Sequence, residues 1–274
     1  VVLRIHIGSV VTSVRVTEDK AAARIIAEAG LARAAGLVLA APFASEDGGI
    51  QDQFQDQVET DTGEVSVSLT NEAWRIDLNT AEKPLVIGAL RAAGADAALA
   101  ETLSTRIMER RGRQQQAPPS PELANSQQEG PPPEGPAPSA DPLQTVSEIA
   151  LIEGMPEAVA LGLGPFTTVS SGLKGARLDA LDPQVLRFIP GLPSSVESAL
   201  ARYRSGRITR DELDQLLASV EYHTSDKAAT WRVSLRVELP AGHSESHEAL
   251  IMISPEDNAP YRIIDWRRVT GDGG

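Results

Sequence analysis

The sequence predicts an α+β fold in which a long N-terminal helix and an antiparallel sheet are interrupted by a large inserted all-α domain. Three observations carry that prediction. Alanine dominates residues 18–41, apolar residues alternate with polar ones near both ends of the chain, and a helix–glycine–helix pattern recurs three times in between. The 274 residues suffice for one large domain or two small ones. Apolar residues make up 41% and aromatics 4%, so the core must be mostly Ala, Leu, Val and Ile.

Residues 1–16 are rich in β-branched side chains and alternate weakly, which reads as strand or leaves the element undecided. From Glu18 to Ala41 the text becomes helical. Ala has the highest helix propensity, and Glu18 and Asp19 suit a helix N-terminus. Ile25, Ala29, Ala32 and Gly36 fall on one face, Gly30 and Gly36 weaken the interior, and Pro42 ends the helix. Residues 45–64 hold seven acids and no base, which reads as a loop. Val65, Val67 and Leu69 then alternate with polar residues, as do Trp74, Ile76 and Leu78; both read as half-buried strands joined by a turn around Asn71. Residues 79–111 look helical.

Residues 112–142 contain nine of the 19 prolines and cannot bury enough apolar area to offset chain entropy, so a disordered or extended linker is expected. Helical text returns over 143–226, with capping boxes expected at Thr145/Glu148, Ser194/Glu197 and Thr209/Glu212. Three strands close the chain: Trp231–Val237, 247–253 and Tyr261–Trp266. The resulting division is 1–78 for the N-terminal helix and first strands, 79–226 for the inserted helical domain, and 227–274 for the last strands. All three tryptophans fall in expected strands, where core packing is the simplest role.

Composition excludes several function classes. Lys+Arg number 25 against 38 Asp+Glu, a net charge of -13, which opposes broad nucleic-acid binding. Cysteine is absent, so thiolate zinc sites, iron–sulfur clusters and thiol nucleophiles are excluded. No apolar run is long enough to span a bilayer. With four histidines and no G-x-S-x-G elbow, an enzyme is not expected.

Segments 85–103, 148–163 and 183–200 each place a glycine (Gly94, Gly154, Gly191) between two helical stretches. Glycine supplies the positive φ that a tight helix–helix turn needs. These units resemble helix-hairpin-helix motifs, whose amides can hold phosphate. Pro156 and Pro193 delete an amide there, and Asp96 would repel the anion. The alternative function, a helix-hairpin-helix DNA-binding or competence-type receptor domain, is therefore disfavoured.

In combination these segments carry a family resemblance. WRIDLNTAEKPLVIGALRAAG resembles the strand, xLNTA and helix sequence that opens the helical domain of the type II secretion minor pseudopilins of the K class (general secretion pathway protein K). LQTVSEIALIEGMPEAVALGLGPFTTVSSG resembles their second unit, ARLDALDPQVLRFIPGLPSSVESALARYRSG their third, and YRIIDWRR their last strand. The resemblance covers about residues 60–270, in the family's order along the chain. It implies a pilin-like domain carrying the helical insertion, and a non-enzymatic cap at the tip of a periplasmic pseudopilus. The implied partners are the I- and J-class minor pseudopilins, with no nucleic acid. It also implies inner-membrane anchoring with this portion in the periplasm. Arg4 and His6 do not fit a membrane helix, so the chain is a fragment, has a misassigned start or is a soluble divergent relative, and membrane contact is expected only through an N-terminal helix missing from this chain.

Asn79 and Thr80 match the family's motif, and their side chains are expected to cap the following helix. No cofactor is required. Asp52, Asp56, Glu59, Asp61, Glu256 and Asp257 are candidate calcium ligands, since calcium takes six to eight oxygens and some K-class members bind it in the pilin-like domain. No EF-hand spacing is present, and a solvated acidic loop is the competing reading. His243 and His247 flank a turn and a strand start, where their spacing would not converge on a metal; both are expected at the surface.

Overall fold

The structure, a computed structural model, describes residues 2–40, 53–115, 142–240, 242–254 and 259–269. The expected stop at Pro42, most of the proline-rich linker, the last turn and three calcium candidates (Asp52, Glu256, Asp257) lie outside them. The chain forms two compact units, Val1–Glu72 with Lys227–Gly274, and Ala73–Asp226.

The first unit packs one helix on one sheet. Helix α1 runs Val2–Ala40, so residues 2–16 are helical where alternation predicted strand. Helix propagation adds one hydrogen bond per residue fixed, and β-branched side chains lower helix propensity only slightly, so the alanine-rich segment extends the helix backward through them. The sheet has the order β1-β2-β5-β6-β7, all antiparallel, with β1 Gln53–Thr60, β2 Gly63–Asn71, β5 Thr230–Glu238, β6 Ser244–Ile253 and β7 Tyr261–Val269. A five-stranded sheet with one face under a helix explains the apolar alternation of β2, β5 and β6.

Strand β1 corrects the reading of 45–64 as a loop. Phe54, Asp56 and Val58 alternate with exposed Gln53, Gln55 and Gln57. The inward Asp56 is matched by Arg33 of α1, whose Nε lies 2.7 Å from its carboxylate.

Ala23, Ile26, Ala27, Leu31, Ala34 and Ala35 of α1 are buried against Val65, Val67, Leu69, Val233, Leu235 and Val237. Gly30 sits in the same stripe, where a Cβ would fall 3.0 Å from Val65 and 3.1 Å from Leu235. Its missing side chain lets helix and sheet approach closely. Ile25, Ala29, Ala32 and Gly36 do share a face, but it is the one turned to solvent.

Asn71 is not a turn residue. It ends β2 fully buried, its Nδ2 donating to Ala228 O and its Oδ1 accepting from Ala228 N, both at 2.9 Å. A 3-10 helix, Glu72–Trp74, follows where a second strand was expected, so Trp74 is not in a strand.

The second unit begins at Ala73, before the expected residue 79, because β3 (Ile76–Asp77) pairs in parallel with β4 (Thr167–Thr168) inside it. Its helices are α2 Lys83–Ala92, α3 Ala97–Gln115, a 3-10 helix Val146–Leu151, α4 Glu157–Gly162, α5 Pro183–Leu186, α6 Ser194–Arg204 and α7 Arg210–Leu217. They enclose a core of Leu78, Leu85, Leu90, Leu103, Ile149, Leu178, Val185 and Leu213, among others. The capping boxes at Thr145/Glu148 and Thr209/Glu212 form. The box at Ser194 does not, because Pro193 takes the N-cap and Ser194 is the first helical residue.

Candidate functional site

The motif residues of the second unit converge on a polar knot. Asp77 is buried at the end of β3; its carboxylate accepts from Asn79 N at 2.8 Å, Ser171 Oγ at 3.0 Å and Gly172 N at 2.7 Å. Asn79 Nδ2 donates to Leu143 O and Val169 O, each at 3.0 Å, while its Oδ1 accepts from Leu143 N at 3.0 Å. Thr80 Oγ1 donates to Leu173 O at 2.6 Å. Arg111 of α3 donates to Leu78 O at 2.7 Å and Ala81 O at 2.6 Å. Burial pulls that guanidinium down to about 10, although Asp77 and Glu82 act the other way.

Asn79 and Thr80 therefore do not cap the next helix. The N-cap of α2 is Glu82, without a side-chain cap bond. Both residues instead stitch segments that are distant in sequence, because carbonyls of the 143 and 169–173 stretches lie within reach and would otherwise lack donors. Sequence reasoning missed Asp77 and Arg111, the two charged members.

The same turn recurs one hundred positions later. Thr80 N and Ala81 N donate to Asp77 O, and Ala180 N and Leu181 N donate to Arg177 O. Arg204 Nη2 donates to Leu181 O at 2.7 Å, the counterpart of Arg111. The side chains differ. Arg177 pairs with Asp179 at 2.8 Å, and Asp179 with Arg210 at 2.5 Å. Burial pushes the Asp179 carboxyl up, but Arg177 and Arg210 outweigh it and hold the group at about 2.

Gly94, Gly154 and Gly191 have φ of 101°, 76° and 74°, values costly for any residue with a Cβ. The helix starts after them offer little to an anion. Asp96 Oδ1 already accepts from Leu99 N at 2.8 Å, and Pro156 and Pro193 are the N-caps of α4 and α6.

Of the six calcium candidates the structure describes Asp56, Glu59 and Asp61, and Asp56 stands apart from the other two. Asp56 and Glu59 point to opposite sheet faces, being three apart on β1. The Arg33 hydrogen bond, followed by that of Gln57 N, lowers the Asp56 carboxyl below its ordinary range. Asp61 lies in the β1–β2 turn. Among the described residues no group of three His, Asp or Glu side chains could hold a metal ion.

His247 corrects another expectation: it is buried on the inner face of β6. A shallow concavity of about 700 Å³ on the outer sheet face is lined by Gln55, Gln57, Ser66, Ser68, Ser234 and Arg236, among others. None of these serines hydrogen-bonds a histidine, so no nucleophile–base pair forms there.

Exposed apolar surface lies elsewhere. Ile25 of α1 is 67% exposed, Ile263 and Ile264 of the edge strand β7 are 50% and 44% exposed, and Leu151 and Leu161 of the second unit are 77% and 73% exposed. No helix among the described residues is long and apolar enough to cross a membrane.

Together these features define a helix-on-antiparallel-sheet protein with an inserted helical unit, polar centres occupied by their own hydrogen bonds, and exposed apolar residues in both units. No protein family's model matches the chain, and no curated protein does. Among solved structures it is similar to a chain of the GspK-GspI-GspJ complex from the type 2 secretion system of enterotoxigenic Escherichia coli. The TM-score is 0.59 at 13% identity, over 94% of this chain and 99% of that one. At that identity the likeness shows the fold: mixed helix and antiparallel sheet with a long N-terminal helix.

Proposed function

We propose that this chain is a minor pseudopilin of the K class, a non-enzymatic assembly protein at the tip of a type II secretion pseudopilus. The observation that carries the reading is the extent of the fold likeness, which spans 94% of this chain and 99% of a chain from a GspK-GspI-GspJ complex. The motif order along residues 60–270 supports the K class in particular. Its partners in this reading are I- and J-class minor pseudopilins, and the chain works on the periplasmic side of the inner membrane.

The mechanism is steric and associative. A bulky helical insertion is not accommodated beneath another subunit, so this subunit takes the end position and caps growth. The outward face of α1, with Ile25, Ala29, Ala32 and Gly36, supplies small and apolar side chains for helix packing, and β7 supplies backbone groups at a sheet edge.

The test is to mix the purified chain with soluble I- and J-class domains from the same source and measure complex mass by light scattering. A stoichiometric ternary complex is expected. Three separate monomers at high concentration, with folding intact by circular dichroism, would overturn the reading.

A further inference from the structure

A cluster on the inner face of β6 has no part in the association just proposed. Glu245 is buried, its side chain 4% exposed, and three basic groups surround its carboxylate. His243 Nε2, from the β5–β6 turn, lies 2.9 Å from Oε1; Arg268 of β7 lies 3.3 Å from the same oxygen; His247 Nε2 lies 3.3 Å from Oε2. His247 is itself only 8% exposed, and neither ring nitrogen has a hydrogen-bond partner. Its ring contacts Trp266 of β7, with centroids 5.8 Å apart. From α1, Arg24 acts on the same imidazole and is paired with Glu28. Opposite on β5 stand Leu235 and Val237, which carry no charge.

From this geometry we infer that the cluster is an acid-sensitive fastening for β7: protonation of His247 loosens the outer strand from the sheet. At neutral pH one carboxylate faces one arginine within the cluster, and the His247 ring is uncharged. Acidification adds a cation at His247, buried beside Arg268 and Arg24. A buried charge whose one carboxylate is already shared with Arg268 is costly, and moving Arg268 and Trp266 away with β7 relieves it.

The direction follows from linkage. Burial, with Arg268 and Arg24, lowers the His247 pKa below its ordinary 6.5 against the pull of Glu245. The folded state therefore prefers the neutral ring. Its contribution is complete above about pH 6.5 and declines as pH falls toward the folded-state value.

The experiment uses the full chain. Amide exchange, corrected for intrinsic rate, is compared between about pH 7.5 and about pH 5, while the histidine ring signals are titrated by NMR. Protection of β7 amides paired with β6 should fall by about tenfold for each pH unit by which the His247 pKa is depressed. The loss should follow the His247 titration, leave the β1–β2 hairpin unchanged, and disappear in His247→Gln. Constant β7 protection across the range, or the same loss in His247→Gln, would overturn the inference. Should that variant not fold, Arg268→Gln replaces it. Removing one repulsion should raise the His247 midpoint and shrink the loss, and an unchanged loss counts against the proposal.

Discussion

The turns at 76–81 and 176–181 share a backbone and differ in how their side chains are satisfied. In both, two successive amides donate to one carbonyl, of Asp77 or Arg177, and an arginine from a later helix closes on the turn's carbonyls. Both also follow a parallel bridge, Ile76 to Thr167 and Ala176 to His223. The first turn buries a carboxylate among neutral donors and uses an asparagine to join distant strands of chain. The second carries Arg177, Asp179 and Arg210, a charged set that is mostly self-contained. One backbone geometry thus tolerates two opposite polar solutions, provided that each is complete.

Exchanging single members between the two turns should break each one. Asn79→Asp has the largest expected effect, about 3–4 kcal/mol by urea unfolding, because a carboxylate would face Leu143 O and Val169 O without a cation. A loss under about 1 kcal/mol would mean that the first turn does not depend on donors there.

Asp179→Asn should cost about 2–3 kcal/mol by removing the carboxylate that Arg177 and Arg210 share, although Arg210 keeps Asp214. It also has a pH signature. The folded pKa of about 2 lies below the ordinary 3.8, so Asp179 stabilises fully above that ordinary value and loses its contribution as pH falls through 2. Acid unfolding curves of wild type and Asp179→Asn should therefore converge toward low pH.

Arg111→Lys should cost about 1–2 kcal/mol, since an ammonium cannot reproduce the fork that reaches Leu78 O and Ala81 O. Arg204→Lys should cost less than about 1 kcal/mol in the same assay, its residue being exposed. Equal losses for the two lysines would remove the distinction between a buried and a solvated closing arginine.

The parts legible in the sequence were those governed by local rules. Strand β5 alternates Trp231, Val233, Leu235 and Val237 with polar residues, the turn glycines sit between helical runs, and Thr209 with Glu212 forms its box within four residues. The rest depended on partners far along the chain. The segment QFQDQVET looks like an acidic loop because one inward position is Asp56, matched by Arg33 of α1. Asn79 resembles a cap until Leu143 and Val169 are beside it. His247 lies next to polar residues in sequence, and its burial comes from the sheet's inner face and from Trp266. Burial of a polar group follows from tertiary arrangement, which spacing along one segment does not encode.

The paired bonds between Asn71 and Ala228 have a topological consequence. They join the chain where it leaves β2 to the chain where it returns to β5, two strands that already lie side by side in register. To the sheet, everything from Ala73 to Asp226 is the loop of an ordinary hairpin, grown to the size of a domain. Loop closure becomes only about 0.6 kcal/mol harder with each doubling of length. The sheet is nearly indifferent to what stands inside that parenthesis, and a lineage is at liberty to enlarge, rewrite or delete the clause without disturbing the sentence around it.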